Sequence, residues 1–250
     1  MDQITVSSAA LSVRAEKPLT PAMLSALWEI AAVLDEERVI GARLDELRAL
    51  GVDEIIVADG GSRDATRAIV ASSPSVRLVS APRGRALQMN AGAALATGDV
   101  LLFLHADVSL PADARAHIER ALAPCSVVGG AFRTWTVADR PTRLGPLLHL
   151  ADLRSRRTSL PYGDQAIFVR ASVFRAIGGF PAIPLMEDLA FSRRLRERGR
   201  VRIVPARVRV SGRRFIERPV LYTLIVNLYP ALYRLGVPPS LLARFYRAVR

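Results

Sequence analysis

From residue 27 onward the chain alternates short apolar runs with stretches whose apolar residues recur every three or four positions. Between Glu36 and Leu50, the residues Val39, Ile40, Leu44, Leu47 and Leu50 fall on one face, which predicts an amphipathic helix. Gly51 stands where a left-handed C-cap would close it. EIIVADGGS at 54–62 is a β-branched run closing on Asp59, Gly60, Gly61 and Ser62, with Ser62 placed to cap a helix over 63–72. VRLVS at 76–80 predicts a strand, and 84–98 a helix closed by Gly98. DVLLFLHAD at 99–107 lacks polar alternation, so both faces of that strand should be buried in a parallel sheet. Strand and helix alternating at this spacing imply right-handed crossovers and a doubly wound α/β layer.

The second half is less regular. It predicts strands over 126–137 and 166–170, helices over 144–157, 171–178 and 184–199, an extended run over 201–210, and closing helices over 219–235 and 239–249. In the 184–199 helix, Met186, Leu189 and Ala190 share a face. Residues 1–22 mix Ser, Ala, Lys and Pro without a period and read as a flexible leader. The remainder, 23–250, reads as one domain: a nucleotide-type half over about 27–110, a mixed lobe over 111–215, and helices over 216–250.

A chain of 250 residues, half of them hydrophobic, can bury a full core. The net charge of +12 is almost wholly arginine, since Lys17 is the sole lysine. Such a surface favours anions, whether nucleotide phosphates, nucleic acid or acidic headgroups. The basic residues form no aromatic-interleaved stripe, which argues against nucleic acid as the main partner. A single cysteine, Cys125, excludes an internal disulfide and suits a reducing compartment. Asn227, Pro230 and Arg234 interrupt the most apolar stretch, 219–237, so it suits an amphipathic element on a core or a bilayer surface.

Ligands of open parallel sheets bind where strands end and loops converge. Asp59 and the pair His105 and Asp107 stand at two such ends. Taken singly, DGGS also reads as a tight turn with a helix cap, and Asp107 as a loop aspartate. Glu187 and Asp188, opening a predicted helix, also read as acids complementing its dipole.

DGGSRDAT (59–66), GRALQMN (84–90), LLFLHAD (101–107), GDQ (163–165) and MEDLAFSRRL (186–195), in this order, resemble the family 2 glycosyltransferases of the GT-A fold. The resemblance is to small bacterial members with HAD in place of D-x-D, and it spans about residues 33 to 249. It implies an α/β GT-A fold and transfer of a sugar from a nucleoside diphosphate donor, with Mn2+ or Mg2+, usually with inversion. By position, Asp59 matches the acid that reads the nucleobase, Glu36 matches the glutamate of the family's first-strand motif and with Ser62, Arg85, Asn90, His105 and Ala106 lines the nucleotide and donor site, and Asp107 holds the metal. Asp188 matches the catalytic base with Glu187 beside it, and Gly163, Asp164 and Gln165 lie near the acceptor and donor sugar. Arg213 and Arg214 could clamp the diphosphate or remain a solvated pair.

The chemistry suits those residue types. Hard cations prefer oxygen, as at Asp107, and a divalent cation offsets charge developing on a diphosphate leaving group. His105 could ligate the metal, but a hydrogen bond to ribose or phosphate suits it better, since carboxylate and phosphate oxygens suffice. An acceptor hydroxyl needs one carboxylate in reach, the part given to Asp188. The expected acceptor is small or lipid-linked, and the expected place of work is the cytoplasm, on the inner face of the membrane, with surface contact through 219–249. The family's first strand ends P-x-x-N-E, whereas ALWEIAAVLDEE (26–37) carries Glu29 inside the run and Ala32 at the proline position. That predicts a shortened strand or an altered N-terminal region. The competing readings are a sugar-nucleotide nucleotidyltransferase, releasing pyrophosphate, and a non-catalytic binding protein at membranes.

Overall fold

The computed structural model describes residues 27–52, 54–138, 145–157, 160–213 and 219–249. The expected leader and Arg214 lie outside the described residues. The chain runs β1 (Leu27–Val33), α1 (Glu37–Ala49), β2 (Glu54–Asp59), α2 (Thr66–Ala71), β3 (Val76–Ser80), α3 (Arg85–Leu95), β4 (Val100–His105), β5 (Val108–Ser109) and α4 (Ala114–Leu122). It continues β6 (Val127–Val137), α5 (Gly145–Arg157), a 3-10 turn (Gly163–Gln165), β7 (Ile167–Arg170), α6 (Ala171–Ala176), α7 (Glu187–Arg198), β8 (Arg200–Ser211), α8 (Pro219–Arg234) and α9 (Pro239–Val249). One eight-stranded sheet in the order β3-β2-β1-β4-β7-β6-β8-β5 carries both halves. β3, β2, β1 and β4 are mutually parallel, β7 is antiparallel to β4 and β6, and β6 is parallel to β8. This is the mixed α/β architecture of the GT-A fold.

The apolar run of β4 is buried on both sides. Val100, Leu102 and Leu104 join one core cluster with Ile40, Leu44 and Leu47 of α1, while Leu101 and Phe103 join the other with Met89 of α3 and Phe191 of α7. Each such side chain removed from water contributes about 1.5–3 kcal/mol, so the strand's position is strongly determined. Gly51 takes φ 65°, the left-handed cap its place after α1 demands.

Three expectations change. β1 is not shortened: it is a central strand of seven residues, with Glu29 in register between Ile55 and Leu102. The helix expected over 63–72 starts only at Thr66, with Ala65 before it and no side-chain cap, because the Ser62 hydroxyl is bonded to Asp59. The helix expected to close at Gly98 ends at Leu95, where Ala96 turns extended. Periodicity also passed over β5 and α4.

In the second half of the chain, β6 pairs with β7 only at Gly129 and Gly130, so its further length has an open edge. α5 covers it: Ser155 accepts the N–H of Thr134 at 3.1 Å, and Asp152 accepts the N–H of Thr136 at 3.0 Å. Two side chains one helical turn apart thus replace alternate ladder partners, which meets the need of buried amides and fixes α5 on the sheet. A Cβ on Gly130 would stand 2.3 Å from the Arg202 carbonyl oxygen, so the close approach of β6 and β8 requires glycine there.

Candidate active site

The ends of β1, β2 and β4 lie side by side, Val33 beside Asp59 and Ala32 beside His105. Their loops share the sheet edge where ligands of this architecture bind. The loops after β1 and β2 are tied together residue by residue. The Asp35 N–H donates to Ser62 Oγ at 3.0 Å, and the Asp35 carboxylate accepts the Arg63 N–H at 2.8 Å. The Glu36 N–H donates to Thr66 Oγ1 at 2.9 Å, and Glu37 accepts the Ala65 N–H at 3.0 Å. Behind them Gln88 donates to the carbonyls of Val33 (2.7 Å) and Ala58 (2.9 Å), which sets the spacing of the two strand ends.

Asp59 is fully buried within this arrangement. It accepts the N–H groups of Gly61 and Ser62, each at 3.1 Å, the Ser62 hydroxyl, and the Arg67 guanidinium at 2.9 Å. Burial alone would raise its pKa, but the donors from Ser62, Arg67 and Gly61 outweigh it and hold the carboxyl below the usual range. Asp59 and Ser62 here serve the loop's own donors. Glu36 is ion-paired across the fold with Arg213, at 2.8 and 3.0 Å, which joins the β1–α1 loop to the end of β8. Arg213, read as a diphosphate clamp or a solvated residue, is therefore engaged with the glutamate of the first-strand motif.

The second half of the site gathers around Gly163. Its N–H donates to Asp188 Oδ2 at 2.8 Å. A Cβ built on it would lie 2.6 Å from His105 Nε2 and 3.5 Å from Asp188 Oδ2. The end of β4, the 3-10 turn and the first turn of α7 thus meet at one glycine, and only a missing side chain lets them do so. Asp188 Oδ1 accepts the Leu189 N–H at 2.7 Å, and Met186, at φ 65°, turns the chain into α7 so that Glu187 and Asp188 open it. Asp107, two residues beyond His105, is partly buried, and its backbone carbonyl accepts the Ser211 N–H at 2.9 Å. Ala106 between them is buried, and its carbonyl accepts Arg43 Nε at 3.4 Å.

Two acids depart from their expected surroundings. Glu187 is 2% exposed, pairs with Arg85 Nε at 2.7 Å, and its Oε2 is buried with no hydrogen-bond partner among the described residues. Burial raises its pKa, Arg85 pulls it down and Asp188 pushes it up again, leaving a net rise. Glu187, expected beside the catalytic base, is thus closed off from solvent and set against Arg85. Arg85 is half-exposed, and Glu187, Asp188, Tyr246 and Asp107 all strengthen its hold on its proton, against some cost of burial. Asp164 is pushed up to about 6, first by burial, with Asp188, Asp107 and Asp152 adding to the rise and Arg154 opposing it. One of its oxygens is closed to solvent, although 34% of the side chain is exposed, and Arg154 stands 3.9 Å from the other.

Two residues expected near ligands have their side chains bonded to backbone groups in this arrangement. Gln165 is fully buried, donating to the Phe132 carbonyl at 2.8 Å and accepting the Tyr162 N–H at 3.0 Å. Asn90 spends both ends of its amide on the backbone of Phe180, at 2.8 and 2.9 Å. Conversely, Tyr162, which the sequence did not mark out, is buried beside the site. The Arg154 guanidinium lies 4.0 Å over its ring, and Arg234 of α8 donates to its hydroxyl at 3.3 Å. Their separations of 8 and 72 residues leave no local pattern to find them by.

No three His, Cys, Asp or Glu side chains among the described residues converge closely enough to hold a cation unaided. A divalent ion beside Asp107 would complete its shell with oxygens from a bound diphosphate, and the residues present fit that shared arrangement.

Comparison with solved structures returns the same fold. The chain is similar to S. aureus TarS 1-349, at a TM-score of 0.57 and 18% identity, covering 81% of this chain and 66% of that one. It is also similar to TarS 1-349 in complex with UDP-GlcNAc, at a TM-score of 0.57 and 18% identity, covering 75% and 59%. A third is glucosyl-3-phosphoglycerate synthase from Mycobacterium tuberculosis in complex with Mn2+, UDP and glucosyl-3-phosphoglycerate, at a TM-score of 0.57 and 18% identity, covering 85% and 81%. The chain spans about two thirds or less of the length of the TarS structures. No curated protein sequence matches it. The family model described as glycosyl transferase family 2 matches residues 30–178, which hold the β1 to β4 loops, His105, Asp107 and Gly163, and the chain belongs to that family.

Proposed function

We propose that this protein is an inverting glycosyltransferase that moves a sugar from a nucleoside diphosphate donor to a hydroxyl of a small or lipid-linked acceptor. Residues 27–110 form its donor half, 111–215 its acceptor half, and 216–250 its closing helices. The observation that carries the reading is the meeting of His105, Gly163 and Asp188 beside Asp107 at the carboxyl edge of the sheet. Solved neighbours whose structures hold UDP, or Mn2+ with UDP, support a uridine diphosphate donor and a divalent ion.

In this reading Asp107 and the diphosphate hold Mn2+ or Mg2+, which when bound offsets the charge developing on the leaving group. Arg85, anchored by Glu187 and still half-exposed, adds a fixed cation for the same oxygens. Asp188 takes the acceptor proton: the Gly163 N–H fixes one of its oxygens, and lone pairs remain for a hydroxyl. His105, packed against Gly163, donates to ribose or phosphate. The place of work is the cytoplasm, at the inner face of the membrane, and no helix among the described residues is long and apolar enough to cross one.

The test is a thermal-shift panel of nucleoside diphosphates and their sugars with and without Mn2+, followed by product analysis. A shift with UDP that grows with Mn2+, and slow release of UDP from one UDP-sugar, is the expected result. Release of pyrophosphate from a nucleoside triphosphate and a sugar phosphate would identify a nucleotidyltransferase instead, and no shift with any nucleotide would leave a non-catalytic binding protein.

A further inference from the structure

Ten large apolar side chains stand exposed among the described residues, and eight of them lie on α5, on α8 and α9, or in the turn between the last two. They are Leu150 and Leu153 on α5, Val220, Leu224 and Leu228 on α8, Leu235, and Leu241 and Phe245 on α9. The three α8 residues recur every four positions and are 57%, 56% and 50% exposed, so one stripe of that helix faces outward. α8 packs against both α5 and α9. A soluble surface scatters such residues singly, and gathering them on adjoining helices marks an interaction face.

The charge on these helices selects the occupant. Residues 219–250 carry Arg234, Arg244, Arg247 and Arg250 and no Asp or Glu. Two copies of such a face repel, whereas an acidic leaflet attracts it. A basic amphipathic helix of this kind lies in the plane of a bilayer surface, with its apolar side in the headgroup boundary. The same face is joined to the reaction centre. Arg234 donates to Tyr162, Arg154 covers the Tyr162 ring and donates to the Val226 carbonyl of α8, and the next residue, Gly163, holds Asp188.

We propose that the face formed by α5, α8 and α9 docks on an anionic phospholipid surface, so that the Asp188 side of the site meets an acceptor carried in that surface. Only the identity of what is presented rests on the glycosyltransferase reading.

The test uses the full chain, flotation with vesicles of phosphatidylglycerol mixed with phosphatidylcholine or of phosphatidylcholine alone, and UDP thermal shift as a separate arm. Leu224→Asp/Leu228→Asp places two charges on the exposed stripe and leaves the core untouched. The expected result is binding to the anionic vesicles, a loss of at least about tenfold in the double variant, about fivefold less binding for Arg244→Gln, and an unchanged UDP shift. Three outcomes overturn the proposal: no vesicle binding, binding that the leucine variant leaves intact, or a sedimenting dimer that this variant dissociates, which would make a second copy the occupant. Vesicle binding without any nucleotide shift would instead overturn the donor reading and leave the docking face standing.

Discussion

Replacing Gly163 by alanine tests the core of the site directly. The new methyl would sit 2.6 Å from His105 Nε2, and the nitrogen would have to retreat by about 0.8 Å to reach ordinary contact at 3.4 Å. The imidazole closes β4 and Asp188 is bonded to the Gly163 N–H at 2.8 Å, so relief on either side displaces a group of the proposed reaction centre. A misplacement near 1 Å costs on the order of a hundredfold in rate, and overpacking of this kind about 1–3 kcal/mol in stability. Gly163→Ala is therefore expected to lower kcat for UDP release about a hundredfold while a UDP-induced thermal shift remains, smaller only by the contact His105 gives the donor, because the β1 and β2 loops are untouched. In Gly163→Ala/His105→Ala the clash is gone, so the thermal stability lost in the single variant should return. A single variant with full activity and unchanged melting would refute the claim that this glycine sets the meeting of His105 and Asp188.

Three further outcomes follow from the geometry. Asp188→Asn should reduce transfer by about 10²–10⁴-fold while leaving UDP affinity intact, since only the proton acceptor is removed; isothermal titration beside a transfer assay reads both. Glu187→Gln keeps a hydrogen bond to Arg85 and removes a buried charge, so activity should stay within about tenfold of the parent with the same pH profile, and a loss as deep as that of Asp188→Asn would make Glu187 the base. Asp164 has a folded-state pKa raised from 3.8 to about 6, so the folded chain holds its proton more tightly and stability contributed by this group declines as pH rises between those values. Asp164→Asn should accordingly stabilise the protein above pH 6 by on the order of 1 kcal/mol, discounted for its partial exposure, or about 2–4 °C in Tm, and flatten the decline below it.

Much of the fold was legible because local periodicity and burial agree. The unbroken apolar run of β4 announced a strand covered on both faces, and α1 declared its buried side and its Gly51 cap. The strand ends singled out in the sequence were equally plain, since Asp59 and His105 end β2 and β4, with Asp107 two residues beyond, in strands whose parallel pairing the alternation implied. What each residue does there was less so. Ser62 read as a helix cap until Asp59, already holding the Gly61 and Ser62 N–H groups, took its hydroxyl. Glu29 looked wrong for a central strand, yet the backbone pairing of β1 with both neighbours settles the strand.

By itself the sequence determined most of the succession of elements, β5 and α4 aside, the parallel half of the sheet and the family, because periodicity, turn residues and motif order are properties of neighbours along the chain. Tertiary structure decided the partners. Asn90 meets Phe180, Gln165 meets Phe132, Glu36 meets Arg213, Glu187 meets Arg85, and His105 meets Gly163 and Asp188 only after the sheet has closed. A polar side chain buried by packing takes whichever partner the fold brings within reach, and that choice depends on distances between segments that no local pattern encodes.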